Sequence, residues 1–324
     1  MGSLRTQRVA AAGVHWANSI LVVEKLLLIV NPYAGSVSPR KREVIVKALA
    51  ADFKVEVVET NARHHATELG RDGVDRGFDA VLALGGDGTI NEVAQAMVGS
   101  DVALGVLPGG STNVLARSLG MPTDPIDATA FLASRLRSGS RRRINVGRID
   151  TRYFLFSTGI GLDAEVVKRV ESDPERDAMK REWLFMKHAW AAGTTTYRTT
   201  DHLLTVEVDG DEPYECVFMV CCNGRPFTYF KRWPVEACPQ ARLDLGLDIL
   251  AVSKVRLTTA PRIAWGVFVS RSHPKWRNNH YWHDVPAATI TATQPMPIQV
   301  DGDYVGEIER ATIELVPDAL DLLV

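Results

Sequence analysis

Three short stretches carry residues whose types and spacing suit phosphate chemistry: Asn31-Pro32-Tyr33-Ala34-Gly35, Gly85-Gly86-Asp87-Gly88-Thr89 and Pro108-Gly109-Gly110-Ser111-Thr112-Asn113. Gly85, Gly86 and Gly88 let the backbone take positive φ and let a ligand come close. Ile90, Val93, Ala94 and Met97 follow at i, i+3, i+4 and i+7, one face of a helix. The N–H groups and positive dipole end of such a helix favour an anion, and phosphate is the natural one. Asp87 beside a phosphate makes sense if a divalent cation lies between them or if the carboxylate handles a proton. The plainer alternative is a Gly-rich turn with Asp87 as the helix N-cap.

The elements that must position these loops follow from the flanking pattern. Lys25 to Val30 is a nearly continuous apolar run of central-strand type. Ser38-Pro39 starts a helix with Val44, Ala48 and Ala51 as its expected face. Val55 to Val58 is a second strand ending at Thr60, and a helix carrying His64, His65 and Leu69 follows it. Asp79 to Leu82 leads into Gly85, and Val102 to Leu107 leads into Pro108. A short helix over 114–119 and one from Asp124-Pro125 to about Arg137 complete the alternation. Strand–helix alternation over 25–137 predicts an open, mostly parallel α/β nucleotide-binding domain, and ligands on such sheets bind at the carboxyl ends of the strands. All three loops lie there.

Past residue 140 the pattern changes. Ile144–Asp150, Phe154–Ser157, Leu203–Val208, Val217–Cys222, Ile249–Ser253, Ala288–Thr293 and Ile313–Val316 read as short strands. Asp209-Gly210 and Asp301-Gly302 mark turns between strands, and helices are expected near 163–171, 175–192 and 259–271. The expected fold is therefore α/β, with the parallel domain over 25–140 joined to an antiparallel, β-rich, sandwich-like domain over 141–316; segment 317–324 is a candidate to complete the first. Six tryptophans, Trp183, Trp190, Trp233, Trp265, Trp276 and Trp282, fall in the second half, where core packing is the expected use for most and a lipid pocket or membrane interface for a share.

Composition narrows the class. A chain of 324 residues, 46% hydrophobic and 23% charged, has ample core for two domains. A net charge of −2 gives no support for nucleic-acid binding by bulk charge. Cys216, Cys221, Cys222 and Cys238 lack zinc spacing and read as buried reduced thiols, with Cys221 and Cys222 on opposite faces of a strand. Residues 1–24 read as a disordered arm in front of the fold. Adjacent His64 and His65 point about 100° apart on a helix and make poor joint metal ligands. No Gly-x-x-x-x-Gly-Lys-Ser/Thr loop and no protein-kinase signature is present.

Gly85-Gly86-Asp87-Gly88-Thr89 with Asn91-Glu92, then Leu107 to Asn113 with Ala116-Arg117, resemble the catalytic domain of diacylglycerol kinases and sphingosine kinase-like lipid kinases. Ile29 to Gly35, Thr60 with His65-Ala66, Gly159 to Ala164 and Gln299 to Asp303 fit the bacterial soluble lipid kinases of that family, in order over residues 25–324. The resemblance implies a two-domain fold with the site between the domains, Mg·ATP as phosphate donor and the hydroxyl of diacylglycerol or a related lipid alcohol as acceptor. It implies that Gly85, Gly86, Asp87, Gly88 and Thr89 bind phosphates and metal, with Asp303 as a second metal group. Asn31, Thr60, Gly110, Ser111 and Asn113 would line the nucleotide. Asp301 resembles the proposed general base, Asp87 competes for that role, and Asp163 would face the acceptor lipid. The resemblance further implies a cytoplasmic protein at the membrane periphery, with a lipid substrate and no nucleic acid, and it allows a homodimer. Val114 stands where the family has Asp, Leu245 where a second Asp precedes Gly, and Asp303 where Glu is usual. An NAD kinase-like enzyme and a lipid- or nucleotide-binding regulator without turnover are the rival readings.

Overall fold

The structure, a computed structural model, describes residues 23–175, 181–195, 197, 203–255 and 265–324. Residues 1–22 of the expected 1–24 arm, residues 176–180 of one expected helix and 259–264 of another lie outside them. The elements in chain order begin β1 (Lys25–Val30), α1 (Pro39–Ala50), β2 (Lys54–Glu59), α2 (His65–Asp75), β3 (Ala80–Gly85), α3 (Asp87–Met97), β4 (Ala103–Pro108), α4 (Val114–Ser118) and α5 (Pro125–Ser138). β4, β3, β1 and β2 lie side by side and parallel, so the loops after β1, β3 and β4 emerge on one edge. β3 and β4 are buried along their whole length, which explains their unbroken apolar sequence. Helix starts are as the sequence signals: the Ser38 side chain accepts from Lys41 N–H and the Asp124 side chain from Ile126 N–H, each followed by Pro. The face of α1 differs from expectation. Ile45 and Leu49 are its buried residues, whereas Val44 is exposed.

The second half continues with β5 (Arg142–Ile149), β6 (Arg152–Phe154), β7 (Ser157–Ile160), α6 (Leu162–Ser172), α7 (Arg181–Thr194), β8 (Leu204–Glu207), β9 (Tyr214–Cys216) and β10 (Phe218–Cys222). Then come β11 (Thr228–Phe230), β12 (Trp233–Val235), β13 (Leu247–Val252), β14 (Asn279–Val285), β15 (Ala287–Val300) and β16 (Asp303–Leu322). Its pairings are antiparallel, as the sequence suggests. The short strands expected over Ala288–Thr293 and Ile313–Val316 are parts of two long ones, of 14 and 20 residues. β16 pairs along β15 and β5 and ends with Leu322 parallel to Leu104 of β4, so the two halves share one hydrogen-bonded sheet of 14 strands. Ala319, Leu320, Leu322 and Leu323 accordingly pack into the core of β1, β3 and β4.

Three further expectations are corrected. Phe154–Ser157 is not one strand: β6 stops at Phe154 and β7 starts at Ser157, because the amides of Leu155, Phe156 and Ser157 turn to a distant carboxylate, Asp301. Next, His64 is not in a helix but precedes α2 with φ of 68°. Finally, core packing is not the main use of the tryptophans. Trp282 is buried, but Trp183, Trp190, Trp233 and Trp265 are exposed. Cys216, Cys221, Cys222 and Cys238 are all buried and free, and Cys221 and Cys222 enter different apolar clusters.

Candidate functional site

The three loops meet at the strand ends. Asn31 N–H donates to Leu84 O (2.9 Å), Gly109 N–H to Gly85 O (2.7 Å) and Ser36 N–H to Gly109 O (3.0 Å). The Asn31 amide donates to the Thr89 hydroxyl (2.9 Å), and Thr60 joins them at the end of β2 through its N–H on Val30 O (2.9 Å). Gly86 and Gly110 face each other so closely that a Cβ on Gly110 would stand 2.9 Å from Gly86 Cα; only glycine permits this approach. Asn113, buried and left-handed at φ 50°, closes its loop on Gly110 in both directions, accepting from Gly110 N–H (2.9 Å) and donating to Gly110 O (2.8 Å).

Asp87 is not the N-cap of α3. Gly86 holds that position, with no side-chain cap, and Asp87 is the first helical residue, its carboxylate accepting from Leu115 N–H (3.4 Å). No side chain of the N-cap residue closes the N-terminus of α3, and a helix start of this kind is where an anion is favoured. Val114, at the equivalent start of α4, is buried in the core and offers no ligand.

The turn at 301–303 comes from the far end of the sequence to this same place. A Cβ on Gly88 would stand 3.0 Å from Asp303 Oδ2, so the carboxylate rests against the glycine loop. Asp301, 5% exposed and with φ of 48°, lies one layer deeper. Its Oδ1 accepts from Phe156 N–H (3.0 Å) and Ser157 N–H (2.9 Å); its Oδ2 accepts from Leu155 N–H (2.7 Å) and Asn91 Nδ2 (2.7 Å). Two carboxylate oxygens have about four lone-pair positions, and all are filled. Burial pushes this carboxyl up to about 6 against the lowering effect of those donors.

Asp163, at the start of α6, is likewise raised to about 6 by burial; its Oδ2 accepts from Gln299 Nε2 (2.8 Å). Gln299 Oε1 in turn accepts from Gly302 N–H (2.8 Å), so Asp163 is wired to the 301–303 turn. Asn31, Thr60, Gly85 to Thr89, Gly110, Asn113, Asp301 and Asp303 are therefore brought into one neighbourhood, with Asp163 connected through Gln299. Ser111 stands exposed at the tip of its loop.

Several working residues were not assigned from sequence. Asn91 ties α3 to Asp301 and to Tyr153 O (3.2 Å). Glu92 accepts from His64 N–H (2.9 Å) and Ala66 N–H (3.3 Å), taking the capping role at α2 that no local side chain fills. Asn91-Glu92 stood in the motif, but Asp301 lies 210 residues from Asn91, and Ala66 lies 26 from Glu92. Gln299 precedes Asp301 by two positions, the period of one strand face, which is a usable signal. Arg117, just after the Gly109–Asn113 loop, lies 3.4 Å over the Tyr229 ring.

Residues 25–149 match the diacylglycerol kinase catalytic domain family. The diacylglycerol kinase of Bacillus subtilis is 32% identical over 154 residues, 46% of this chain and 50% of that enzyme; the match thus spans half the length of that relative. The diacylglycerol kinase of Staphylococcus carnosus is 24% identical over 298 residues, covering 89% of this chain and 91% of that one. A crystal structure of a diacylglycerol kinase from Bacillus anthracis superposes with a TM-score of 0.71 at 23% identity, over 93% of this chain and 96% of that one, a likeness of fold. The chain is thus similar to diacylglycerol kinases, in sequence over the domain 25–149 and in fold over nearly its whole length, and the glycine loops lie within the matched domain.

Proposed function

We propose that the protein is an ATP-dependent lipid kinase that transfers the γ-phosphate to the hydroxyl of diacylglycerol or a related lipid alcohol, at the cytoplasmic periphery of a membrane. One observation carries the reading above others: three glycine loops at parallel strand ends are met by a carboxylate turn from the far end of the chain, Asp303 lying against Gly88. Phosphoryl transfer depends mainly on positioning and charge neutralisation, and this arrangement supplies backbone amides for phosphate with carboxylates beside them.

Mg²⁺ fits the donor set. Among the described residues no group of three or more His, Cys, Asp or Glu forms a metal cage, and Mg²⁺ is bound through one or two carboxylates together with substrate phosphates. Asp87 and Asp303 would hold it, and it would then neutralise phosphate charge. The chain's own residues do the rest in this reading. Asn31, Thr60, Gly85, Gly86, Thr89, Gly110, Ser111 and Asn113 orient the nucleotide, and Asp163 faces the acceptor. The acceptor oxygen bonds to the γ-phosphorus as the bridging oxygen leaves with ADP, and a carboxylate takes the hydroxyl proton. Asp301 Oδ2 is the proposed acceptor of that proton, available once Asn91 gives up its hydrogen bond; Asp87 is the competing group.

The test is a labelled-ATP assay with diacylglycerol, sphingosine, ceramide and monoacylglycerol in mixed micelles, with NAD as a soluble comparison. Mg²⁺-dependent transfer to a lipid is expected. Transfer to NAD and to none of the lipids would overturn the proposal.

A further inference from the structure

β11 and β12 form a separate two-stranded hairpin, Thr228 opposite Val235 and Phe230 opposite Trp233, whose turn is the dipeptide Lys231-Arg232. Such turns favour Asn and Gly, because they demand positive φ; here Lys231 takes φ of 57° instead. Two cations thus occupy the most outward point of the hairpin at a backbone cost. Both are exposed, and neither side chain meets a carboxylate among the described residues. Beside them Trp233 is 62% exposed. The neighbouring turn Gly266–Ser270 is fixed to the hairpin by Glu236 N–H on Val267 O (3.3 Å), by Arg271 with Glu236 (3.2 Å) and by the edge-on rings of Phe230 and Phe268. It presents Trp265, 62% exposed, and Val269, 56% exposed, four residues apart and so on one side. Indoles and aliphatic groups set among uncompensated cations are the composition of a surface that enters the headgroup region of an anionic bilayer.

The unit also has a fixed relation to the phosphate loops. Arg117 of α4 stacks on Tyr229 and donates to the carbonyls of Lys231 (3.1 Å) and Arg232 (3.4 Å). α4 begins directly after Asn113, so the hairpin tip is held at the rim of the loop cluster.

We propose that the Lys231-Arg232-Trp233 tip, with Trp265 and Val269, is the surface by which the protein docks on an anionic lipid bilayer, setting the loop cluster against the membrane. This rests on the lipid-kinase reading for its purpose, but its test does not. The full chain is mixed with vesicles of phosphatidylcholine alone or with about one third phosphatidylglycerol, a strongly anionic surface, none containing an acceptor lipid. Binding is read by co-sedimentation and by the blue shift of tryptophan emission. Binding is expected on the anionic vesicles. Lys231→Glu/Arg232→Glu is expected to weaken it by at least about tenfold, and Trp233→Ala/Trp265→Ala by at least about tenfold. ATP affinity in solution stays unchanged in both, which separates loss of docking from loss of fold. Trp183→Ala/Trp190→Ala, on the exposed stripe of α7, is the comparison and binds as the parent. The proposal is overturned if the parent ignores anionic vesicles, if only the α7 variant loses binding, or if the hairpin variants instead dissolve a self-association seen by ultracentrifugation without vesicles.

Discussion

At the scale of single residues, two carboxylates of similar exposure to the sequence reader turn out to have different surroundings. Asp87 is the first residue of α3, beside the glycine loops, and in the proposed function it would hold the cation that neutralises phosphate. Asp87→Asn keeps the size and removes the charge; activity should fall by at least about a hundredfold while the melting temperature barely moves, as read by the lipid assay and a thermal melt. Unfolding of the variant would instead make Asp87 a structural group. Gly88→Ala tests the contact with Asp303 without touching any charge. Its Cβ would stand 3.0 Å from the Asp303 carboxylate, so Asp303 must shift, and Mg·ATP affinity should weaken by about tenfold or more, the scale of one displaced charge-assisted contact. Unchanged affinity would remove Asp303 from the nucleotide site. Asp163 gives a pH signature. Burial raises its carboxyl from 3.8 to about 6, so between those values the native state holds a proton that the unfolded chain has released. Stability from this group is therefore full below pH 3.8, falls as pH rises to about 6 and is constant above. Asp163→Asn cannot titrate, and its amide oxygen still accepts from Gln299. The melting temperature of the variant minus that of the parent should rise from pH 4 to 6 and then level; parallel curves would mean that the native carboxyl is not raised.

At the scale of elements, what the sequence made legible was whatever depends on neighbours in the chain. Ser38-Pro39 and Asp124-Pro125 mark helix starts because a capping side chain acts over two or three residues. The strand ends and their glycine loops were readable for the same reason. The break at Leu155-Phe156 was not, because the acceptor of those amides is Asp301, some 145 residues on. Nor was the capping of α2, whose N–H groups are taken by Glu92 from another helix. Glu92→Ala leaves His64 N–H and Ala66 N–H without their acceptor and should cost about 1 kcal/mol, as for a lost cap. Amide exchange over 64–67 should speed up well beyond that of α5, which keeps its own cap; equal protection would mean that another group replaces Glu92.

At the scale of the whole molecule, the two halves are held by β16. Its end lies between β4 and β5, with Leu322 opposite both Leu104 and Arg142, and its start forms the turn at the glycine loops. Leu322→Ala should cost about 2–5 kcal/mol, and emission from the tryptophans of the second half should report the same denaturation midpoint as far-UV dichroism of the whole chain. Separated midpoints would show that the halves unfold independently. Alternation and loop chemistry predicted the parallel sheet, but a strand that serves both halves could not be read from the short strand expected at 313–316. Glu307, Glu309 and Arg310 interrupt the apolar pattern within the second-half core, and Pro317 and Asp318 interrupt it where the strand passes to the first. The order of synthesis gives this pairing a cost. Until residues 303–322 leave the ribosome, β4 remains a fully apolar strand with one edge bare, more than 200 residues after it was made. An edge of that kind invites pairing with another chain. Pairing with another chain is therefore a hazard of the first half until β16 has been made.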